Sequence, residues 1–568
     1  MNALTRLFTS TREMTLGQLV GHVLVESDIS DLFCIPGDFT MQLSREMLGT
    51  PGLALRTMSH EYSTTLTALG YALGKEAPGA VCFTYGVGAL NAINGIAQAY
   101  VERLPLLVIS GSPGHKERQG SMFAHHTIVD HGTQLRLMKE ITVHQACIED
   151  PHQAQEQLRE AIVIAMRHSR PVYVEIPRDL FLHKVRHTPR RAQLKREPML
   201  FDHVALSAAE KALRLIEQAR QPVLVPGLDV KRGRLGSEAL ALCEALGLPW
   251  VETPMSRGGL QVDHANYRGI YAGPASPSRL TQALVDDCDV LILLGEPNSD
   301  VNMGIASQIA GGRLIHANDG LVMVGRQRFD LSTEAFLRAL VGLAGNSSRH
   351  GQLLAPLDGQ ETAFIRPPLP ERLLASDTAL TPYEIIDELN RVFADNAELD
   401  LIVDCGDAFF MSLGMFPRDV LASSLYMSMG LAVPGAIGYQ LATGKRPIVL
   451  VGDGAFHMTG NELMHAARFG TSPIIVILNN RRWTSLSGKP QDRALTEQPD
   501  LEFVNIARFH KVQGFTAHTS EQLRGQLAEA MAMDRPILID ARIAPDTRSY
   551  LCERFFDAVQ KQQHLPKA

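Results

Sequence analysis

Residues 446–454 read RPIVLVGDG, and residues 472–480 read SPIIVILNN. Each stretch is a short apolar run, typical of a buried parallel strand, that ends in residues with oxygen-bearing side chains. Asp453 and Asn480 are 27 positions apart (480 − 453 = 27). This interval fits one strand–helix–strand unit, which returns both side chains to the same edge of a parallel sheet. The two stretches therefore predict an α/β fold with a ligand site at this edge.

The chemistry of these residues suggests which ligand the edge binds. A carboxylate and an amide oxygen suit a hard cation such as Mg²⁺, which prefers oxygen ligands. Gly452 and Gly454 allow backbone N–H groups to approach an anion, and the N-terminus of a following helix favours a phosphate. We therefore expect an anchor for Mg²⁺ and a diphosphate. A tight turn with an Asn at its corner is the alternative explanation.

Length and composition exclude several classes of protein. A chain of 568 residues predicts several domains, and its formal net charge of −7, without a long basic run, argues against nucleic acid as a partner. The seven cysteines are far apart and form no CxxC pair, which excludes a disulfide scaffold or a zinc site of that type. No apolar stretch approaches the roughly 20 residues of a membrane span. The segment Met1–Met14 lacks the apolar core of a secretion signal and is expected to be a flexible leader. Together these features predict a cytoplasmic protein without a membrane partner.

Two polar stretches divide the chain. Val185–Pro198 is basic and contains proline, and Gly345–Gln360 has little apolar periodicity. The blocks that they separate alternate short β-branched runs with longer helical patterns. The predicted fold is therefore α/β, with three doubly wound parallel-sheet domains near residues 14–186, 200–344 and 378–558.

The first and third blocks contain similar apolar runs at similar intervals. From Pro105 to Pro171 is 66 positions in the first block, and from Pro473 to Pro536 is 63 in the third. Apolar strands resemble one another by chance, but three runs in the same order at matched intervals favour a common topology. The runs are GAVCFTYG (79–86), LPLLVISG (104–111) and RPVYVEI (170–176), matched by RPIVLVGDG (446–454), SPIIVILNN (472–480) and RPILIDA (535–541).

GDG followed by paired asparagines at this interval is the signature of thiamine-diphosphate enzymes, and the chain resembles the thiamine-diphosphate-dependent 2-oxo acid decarboxylases over nearly its whole length. The resemblance implies a pyrimidine-binding (PYR) first domain, a diphosphate-binding (PP) third domain, and thiamine diphosphate and Mg²⁺ as cofactors. It implies that Asp453, Asn480 and the main-chain carbonyl of Arg482 bind Mg²⁺. The cofactor's phosphates would then lie at Gly452, Asp453, Gly454 and Ala455. The middle block has no Gly-rich dinucleotide fingerprint.

A single acid stands in TMSHEYSTTLTALGYA (57–72). Thiamine chemistry requires a carboxylate beside the cofactor's pyrimidine ring, and the resemblance implies that Glu61 is this catalytic, cofactor-binding residue. A glutamate that interacts with the dipole at a helix N-terminus is the alternative. The resemblance also implies that Glu61 acts across a subunit boundary, so that a dimer or a dimer of dimers carries active sites between its chains.

Asp38 in IPGDFTM (35–41) follows a predicted strand, and MFAHHTI (122–128) contains His125 and His126. Adjacent side chains on a helix or strand diverge, so a histidine pair alone indicates little. In the decarboxylases that the chain resembles, such an Asp and His-His pair act together in proton transfer and product release. This set implies the branch of pyruvate, indolepyruvate and phenylpyruvate decarboxylases.

Further contacts with the cofactor are implied only by motif position. Thr84, in the strand-to-helix turn of the first block, would lie near the cofactor, and Asp407 in DCGDAFF (404–410) would line its diphosphate side. In YMSMGLAVPGAIGY (426–439), Met429 would wedge the cofactor into a bent shape, and Met427 would contact the pyrimidine through its backbone. A Met-rich core loop is the alternative explanation of this stretch.

The chain departs from pyruvate and indolepyruvate decarboxylases after the paired asparagines. Those enzymes typically read NN-x-G-Y-x-x-E, whereas residues 479–488 read NNRRWTSLSG. Trp483 takes the place of the tyrosine, and Leu486 that of the glutamate. Bacterial phenylpyruvate decarboxylases resemble the chain here, which implies a substrate pocket at Trp483 and Leu486 for an aromatic or bulky 2-oxo acid.

Two alternatives remain from the sequence. The chain could be a branched-chain 2-oxo acid decarboxylase or a carboligase of the same family, because the pocket residues do not settle the size of the substrate's side chain. It could also be a non-catalytic nucleotide-binding or electron-transfer protein that holds a flavin or a nicotinamide nucleotide in its middle block.

Overall fold

The computed structural model describes residues 11–119, 123–189, 203–304, 313–351, 365, 367, 380–486, 492–545 and 547–563. Its strands are short and mostly buried, as expected for parallel sheets that are covered by helices. The strands are β1 (Arg12–Thr15), β2 (Asp31–Cys34), β3 (Ala54–Thr57), β4 (Gly79–Phe83), β5 (Leu106–Ser112), β6 (His144–Cys147), β7 (Pro171–Pro177), β8 (Lys184–His187), β9 (Pro222–Pro226), β10 (Trp250–Glu252), β11 (Tyr267–Ile270), β12 (Val290–Leu294), β13 (Leu314–Asn318), β14 (Leu321–Val324), β15 (Gln327–Asp330), β16 (Asp400–Val403), β17 (Asp419–Leu421), β18 (Ile448–Gly452), β19 (Ile474–Asn479), β20 (Gln513–Ala517) and β21 (Ile537–Arg542).

Helices connect most of these strands. Short 3₁₀ turns also occur at Arg178–Leu180, Gly460–Glu462 and Thr484–Leu486. The α-helices are α1 (Leu16–Glu26), α2 (Met41–Met47), α3 (Glu61–Gly74), α4 (Val87–Asn91), α5 (Ile93–Val101), α6 (His115–Gln119), α7 (Thr133–Lys139), α8 (Ala154–His168), α9 (His203–Gln218), α10 (Leu228–Gly233), α11 (Gly236–Leu246), α12 (Arg279–Asp286), α13 (Asp300–Met303), α14 (Thr333–Ala344), α15 (Pro382–Asp395), α16 (Asp407–Ser412), α17 (Ala432–Thr443), α18 (Asp453–Thr459), α19 (Leu463–Arg468), α20 (Arg493–Thr496), α21 (Phe503–Phe509), α22 (Ser520–Ala532) and α23 (Tyr550–Gln563).

The first and third sheets have the same strand order over the described residues. The N-terminal sheet runs β3-β2-β4-β5-β7-β6, and the C-terminal sheet runs β17-β16-β18-β19-β21-β20, with every pair parallel. β4, β5 and β7 therefore occupy the same places as β18, β19 and β21. This confirms the common topology that the matched apolar runs predicted.

The middle sheet runs β11-β10-β9-β12-β13-β14-β15. β9 and β12 are parallel neighbours at its centre. β13, β14 and β15 are antiparallel, an edge that the sequence analysis did not predict. Asp319 and Gly320 form the two-residue turn between β13 and β14, and both have positive φ angles (50° and 81°), which favours a tight hairpin. The three-domain α/β fold is thus confirmed, with one mixed sheet.

The start of the first predicted linker differs from the structure. β8 pairs antiparallel with β1, so the first residues of the predicted linker at Val185–Pro198 belong to a strand. Most of both predicted linkers, and residues 1–10 of the predicted leader, lie outside the described residues. The domain bounds 14–186, 200–344 and 378–558 stay a prediction. None of the described helices combines the length and the apolar character that crossing a membrane requires.

Two helices from different sheets approach each other backbone to backbone. α3 packs on α17, and an ideal Cβ on Gly70 would overlap the carbonyl oxygen of Gly435. A Cβ on Gly438 would in the same way overlap the carbonyl oxygen of Thr67. Only glycine permits such an approach. The contact places the start of α3, which carries Glu61, beside the segment that leads into α17.

We expect Gly438→Ala to lower the free energy of unfolding by about 1–3 kcal/mol, because the new methyl group meets a backbone carbonyl that has no room to move. Gly342→Ala is the matched control, since Gly342 also lies in a helix but has nothing within 4 Å of its ideal Cβ. That control should be neutral or stabilising by about 0.5–1 kcal/mol. Urea unfolding of both variants measures the difference, and equal stabilities would contradict the helix contact.

Candidate active site

Asp38 lies just after β2, at the carboxyl edge of the N-terminal sheet. Its Oδ1 accepts a hydrogen bond from Thr84 Oγ1 at 3.2 Å, and Thr84 directly follows the neighbouring strand β4. Ligands of parallel sheets gather where adjacent strands end in this way. The side chain of Asp38 is 45 % exposed, so it is accessible from outside the sheet.

Both histidines of the predicted pair reach this one carboxylate. His125 Nε2 is hydrogen-bonded to Asp38 Oδ2, and His126 Nε2 lies 3.7 Å from Asp38 Oδ1. The backbone of His126 is left-handed (φ 69°), which turns the chain so that adjacent side chains converge. The ring of Phe39 supports both imidazoles, with centroids at 5.0 and 6.0 Å. The fold thus brings together three groups that a regular helix or strand would separate.

The charge state of Asp38 follows from its neighbours. Burial alone would raise its pKa, but hydrogen bonds from His125 and Thr84 outweigh that effect and leave the pKa below the ordinary value. Asp38 therefore stays ionised at neutral pH. An ionised carboxylate accepts a hydrogen bond from an imidazole N–H, so this contact provides a path for a proton.

A buried amide positions the loop that carries the histidines. Gly86 has a φ of 65°, and a Cβ at this position would overlap the carbonyl oxygen of His126. Its N–H donates to Gln134 Oε1 at 2.6 Å, and Gln134 Nε2 donates to Ser110 Oγ at 3.0 Å. Gln134 is 1 % exposed. Gln134 could not be found from the sequence, because nothing in its local pattern marks a buried polar contact 48 residues away.

Glu61 is the first residue of α3. Its Oε2 accepts a hydrogen bond of 2.6 Å from Asn91 Nδ2, at the end of α4, and its side chain is half-buried. Asn91 Nδ2 also lies 3.1 Å from His60 Nε2. The carboxylate is therefore held by an exposed amide and remains partly open on one side, as a residue that meets a ligand or a second chain must be.

Asp453 and Asn480 follow β18 and β19, which are neighbouring parallel strands. The carboxylate of Asp453 is 3 % exposed and accepts from Gly454 N at 2.7 Å and from Arg481 N at 2.6 Å. Asn480 Oδ1 accepts from Arg482 N at 3.0 Å. The two strand ends are thus tied to each other through Asp453, as the spacing of the motif predicted.

The electrostatics of Asp453 fit a divalent cation. Burial raises its pKa to about 6, although backbone N–H groups of Gly454 and Arg481 counteract this. A cation bound to the carboxylate would supply the charge that its surroundings lack. Asp453 and Asn480 offer oxygen ligands of the kind that Mg²⁺ prefers. These residues therefore fit the metal that the resemblance implies, and their roles as ligands stay a prediction.

The two paired asparagines form hydrogen bonds with different parts of the C-terminal domain. Asn479 Nδ2 donates to Asp540 Oδ1 at 2.8 Å and to the carbonyl oxygen of Leu501 at 3.1 Å. It therefore ties the segment before α21 to β21. Asn480 Nδ2 instead donates to Thr484 Oγ1. Only the second asparagine thus belongs to the loop of the predicted metal site.

The loop that follows Asn480 is held by its own backbone. The carbonyl oxygen of Arg482 accepts from Thr484 N at 2.9 Å and from Thr484 Oγ1 at 3.2 Å. Trp483 N donates to the carbonyl oxygen of Thr496 at 2.8 Å, so the loop pairs with a second segment. The role of the Arg482 carbonyl as a metal ligand is untested by these contacts and stays a prediction.

A buried carboxylate of the N-terminal domain holds the segment that precedes Met427. Glu102 Oε1 accepts from Ser423 Oγ at 2.9 Å, from Leu425 N at 3.0 Å and from Tyr426 N at 2.9 Å. Glu102 is 1 % exposed, and burial raises its pKa. The contact links the end of α5 to the C-terminal sheet. The sequence signal was an acid beside Arg103 within the largely apolar stretch AQAYVERLPLL (97–107), but its partner could not be read from it.

The other end of the same segment is held by Asp404. Its carboxylate accepts from Gly430 N and Ala432 N, both at 2.9 Å, and it is 1 % exposed. The conformation of the residues between these two carboxylates is therefore fixed from both sides. Met427 has a left-handed backbone (φ 56°). The sequence analysis placed Asp407 at the cofactor but gave no role to Asp404.

Met429 is held directly by the helix that carries Glu61. Tyr62 Oη donates to the carbonyl oxygen of Met429 at 2.7 Å and lies 2.6 Å from Ser428 Oγ. Met427 and Met429 are both half-buried. Their proposed contacts with the cofactor stay a prediction, and the structure adds Tyr62 as a residue that positions them.

Four further predicted residues, Asp407, Trp483, Leu486 and Ala455, lie around this edge. The carboxylate of Asp407 accepts from Ser549 N at 3.0 Å, and the preceding residue, Gly406, lies beside Ser485. Leu486 is 62 % exposed, whereas Trp483 is half-buried against Gly454. Ala455 is buried in the first turn of α18. The roles of these residues toward cofactor and substrate stay predictions.

The candidate residues form one group on each of two sheets. Asp38, Glu61, Thr84 and the histidines lie on the N-terminal domain, and the predicted metal residues lie on the C-terminal domain. Across the described part of the chain, neither Glu61 nor Asp38 shares a hydrogen bond with Asp453. The prediction that a second chain brings the two groups together is compatible with this arrangement and is not tested by it.

Three family models match the chain in order. A thiamine pyrophosphate enzyme N-terminal TPP binding domain matches residues 14–136, the central domain of the same enzymes matches 209–340, and their C-terminal TPP binding domain matches 405–541. Asp38, Glu61 and Thr84 fall within the first match, and Asp453 and Asn480 fall within the third. The comparison therefore indicates thiamine diphosphate as the cofactor.

Curated relatives cover most of the chain. An indole-3-pyruvate decarboxylase of Azospirillum brasilense is 33 % identical over 561 residues, which is 98 % of this chain and 99 % of the relative. A probable pyruvate decarboxylase of Schizosaccharomyces pombe is 28 % identical over 94 % of each chain. Pyruvate decarboxylase 4 of Arabidopsis thaliana is 28 % identical over 84 % of this chain and 79 % of its own.

Glu102→Ala should lower the free energy of unfolding by about 1–3 kcal/mol, because three buried or partly buried donors would lose their acceptor. We expect it to loosen the Met427 segment as well, so that protease cleavage there becomes faster. Glu398→Ala is the control, since that side chain is 86 % exposed and its removal should change stability by no more than about 0.5 kcal/mol. Chemical unfolding and limited proteolysis of both variants provide the measurement, and a Glu102→Ala protein as stable as the control would refute the role of this carboxylate.

Proposed function

The chain belongs to the thiamine-diphosphate-dependent 2-oxo acid decarboxylases, and we propose that within this family it converts an aromatic or bulky 2-oxo acid into the aldehyde and CO₂. Phenylpyruvate and indolepyruvate are the substrates that we propose. The observation that carries this choice is the 3₁₀ turn Thr484–Leu486, which ends in an apolar side chain. Pyruvate and indolepyruvate decarboxylases typically carry a glutamate there, whereas the bacterial phenylpyruvate decarboxylases that the chain resembles carry an apolar residue. The relative named for indole-3-pyruvate supports an aromatic side chain.

The roles of the metal and cofactor residues follow from their chemistry. Thiamine diphosphate, when bound, supplies the electron sink into which the bond to CO₂ breaks. Asp453, Asn480 and the carbonyl of Arg482 would hold Mg²⁺ against the diphosphate. Glu61 offers a carboxylate, at the start of a rigid helix, that can share a proton with the pyrimidine ring.

Proton transfer falls to the group around Asp38. The product gains one proton at the carbon from which CO₂ has left. His125 and His126 both lie at the ionised Asp38, so their ring nitrogens are placed to pass such a proton on. Because Leu486 cannot carry a proton, we assign this step to the histidine pair and Asp38.

The residues of the proposed substrate pocket favour a large side chain on the substrate. Trp483 and Leu486 both come from the metal loop and are apolar over most of their surface. Leu486 is 62 % exposed and so has area to bury against a substrate. Each Å² of apolar surface removed from water stabilises a complex by about 25 cal/mol. An aromatic ring gains more from such a wall than the methyl group of pyruvate.

A nucleotide-binding role for the middle domain is less well supported. In a doubly wound sheet, ligands bind where the strand order reverses, which here is the crevice at the ends of β9 and β12. The guanidinium of Arg103, from the N-terminal domain, lies at this edge and donates to Asp229 and Asn318. Arg103 is 5 % exposed. A protein side chain thus takes part of the space that a flavin or nicotinamide nucleotide would need.

The proposed reaction is tested by aldehyde formation from phenylpyruvate, indolepyruvate, 4-methyl-2-oxopentanoate and pyruvate, each with and without thiamine diphosphate and Mg²⁺. We expect turnover that depends on the cofactor and is fastest with the two aromatic acids. Faster turnover of pyruvate or of the branched acid would agree with the family's reaction but contradict the proposed pocket for an aromatic side chain. Formation of a ligated product without aldehyde would favour the carboligase alternative.

Glu61→Ala should lower kcat by about 10²–10⁴-fold with little change in cofactor affinity, because the residue transfers a proton and does not bind the metal. Asp453→Ala should instead lose Mg²⁺ and thiamine diphosphate together. Calorimetric titration and the aldehyde assay separate the two effects. Full turnover by Glu61→Ala, or unchanged cofactor affinity in Asp453→Ala, would contradict the assigned roles.

The same two variants test whether the active site lies between chains. If it does, mixing and re-associating the Glu61→Ala and Asp453→Ala chains restores one intact site in each mixed dimer, or about a quarter of wild-type activity after random exchange. If each chain completes its own site, every site keeps one substitution and the mixture stays as inactive as its parts.

A further inference from the structure

Asp38, His125 and His126 bring three candidate metal ligands to one place. One carboxylate oxygen and two ring nitrogens lie within 4.8 Å of one another. Among the described residues, no other group of three or more His, Cys, Asp and Glu side chains converges in this way. The ligand atoms of a four-coordinate zinc ion lie roughly 3.3 Å apart, because each is bound at about 2.0–2.1 Å. The 3.7 Å between His126 Nε2 and Asp38 Oδ1 is thus close to the spacing of a metal site.

An ion from solvent can reach all three side chains. Asp38 is exposed over nearly half of its side chain, His125 over 58 % and His126 over 28 %. Exposed side chains change rotamer rapidly, so small rotations can bring the ligand atoms to the distances that an ion requires. Thr84 Oγ1 donates to Asp38 Oδ1, and the ring of Phe39 packs against both imidazoles. Outer contacts of this kind orient the ligands of metal sites.

The ligand types decide which ion the group prefers. Imidazole nitrogens with one carboxylate oxygen suit Zn²⁺ and related transition-metal ions, whereas Mg²⁺ prefers sites made of oxygen atoms. Asp453 and Asn480 offer oxygen ligands, so the Mg²⁺ that the cofactor requires should not compete at the histidine pair. Three protein ligands also leave a fourth position open to water, as in catalytic zinc sites.

We propose that Asp38, His125 and His126 form a Zn²⁺ site that is separate from the Mg²⁺ site. A ring nitrogen that binds a metal ion cannot bind a proton at the same time, so the ion replaces the hydrogen between imidazole and carboxylate. With zinc bound, the group no longer transfers a proton, and turnover stops until the ion is removed. The inhibition rests on the proposed function, whereas the binding of zinc does not.

Calorimetric titration of the whole protein with Zn²⁺, in excess Mg²⁺, measures this site without reference to turnover. We expect one Zn²⁺ bound per chain. His125→Ala should lower the affinity by more than about 100-fold, because loss of an outer contact alone costs a metal site about 10–100-fold. The exposure of His125 means that this variant should fold as the wild type does.

His131→Ala is the matched control. His131 lies in the same connection between α6 and α7, and its Nδ1 is 3.4 Å from Thr127 Oγ1. We expect its zinc affinity to equal that of the wild type. A wild-type protein that binds no Zn²⁺, or a His125→Ala protein that binds Zn²⁺ as tightly as His131→Ala, would overturn the inference.

Asp453→Ala separates the two metal sites. Zinc bound at the histidine pair should keep its wild-type affinity in this variant, although Mg²⁺ and thiamine diphosphate are lost. Zinc binding that disappears in Asp453→Ala and persists in His125→Ala would place the ion at the diphosphate anchor and reject the inference.

A second measurement uses the wild-type protein alone. Co²⁺ can occupy zinc sites, and four-coordinate Co²⁺ absorbs visible light far more strongly than six-coordinate Co²⁺ among oxygen atoms, so its spectrum reports the geometry of the site. Co²⁺ added in excess Mg²⁺ should give the strong absorption, and Zn²⁺ should remove it. The weak six-coordinate spectrum alone would contradict a site with three protein ligands and one open position.

Zinc binding and the proposed reaction can fail separately. Turnover of phenylpyruvate that Zn²⁺ inhibits and a zinc-selective chelator restores would agree with both. Zinc bound at the histidine pair of a protein that converts no 2-oxo acid would reject the proposed function and support the zinc site. Full turnover with zinc bound there would reject the inferred block of proton transfer.

Discussion

The backbone contact between α3 and α17 is the constraint on which the rest of the site depends. Gly70 and Gly438 leave no side chain between the helices, so a shift of either one would create overlap or an empty gap. Glu61 lies at the start of α3, and Tyr62 beside it binds the carbonyl of Met429 ahead of α17. The packing of two helices thereby sets where the carboxylate of Glu61, which we propose to be catalytic, lies relative to a segment that we expect to contact the cofactor.

Two buried carboxylates also fix the position of the segment that contains Met427. Burial of a charged group is unfavourable unless hydrogen bonds replace its water. Glu102 accepts three hydrogen bonds from the protein, and Asp404 accepts three from backbone N–H groups. Burial raises the pKa of both. Between them Met427 keeps a left-handed backbone, which costs an L-residue about 1–2 kcal/mol and persists because the flanking residues are fixed. The fold thus accepts a loss of stability at Met427 and gains a fixed conformation for this segment.

The sequence was most informative where the relevant contacts are local or follow from strand ends. Asp453 and Asn480 could be placed together because parallel neighbours end at one edge, and the repeated apolar runs predicted the shared strand order. The convergence of His125 and His126 on Asp38 depends on a left-handed residue, which local pattern does not reveal. Glu102 and Gln134 act on residues far along the chain, and such pairings are set by tertiary packing. For the same reason the separate tasks of Asn479 and Asn480 could not be read from the motif alone.

Because the two sheets share a topology, they present side chains of different chemistry at matching strand ends. Thr84 is the first residue after β4, and Asp453 is the first after β18, which has the same place in its sheet. Asp38 is the fourth residue after β2, and Asp407 the fourth after β16, again in matching places. The same backbone edge thus presents a hydroxyl and an exposed, histidine-bound carboxylate on one sheet. On the other it presents a buried carboxylate suited to a metal and one bound by Ser549. Since position is common to both, the difference between the roles that we propose, proton transfer and metal binding, must come from burial and from the partners of each side chain.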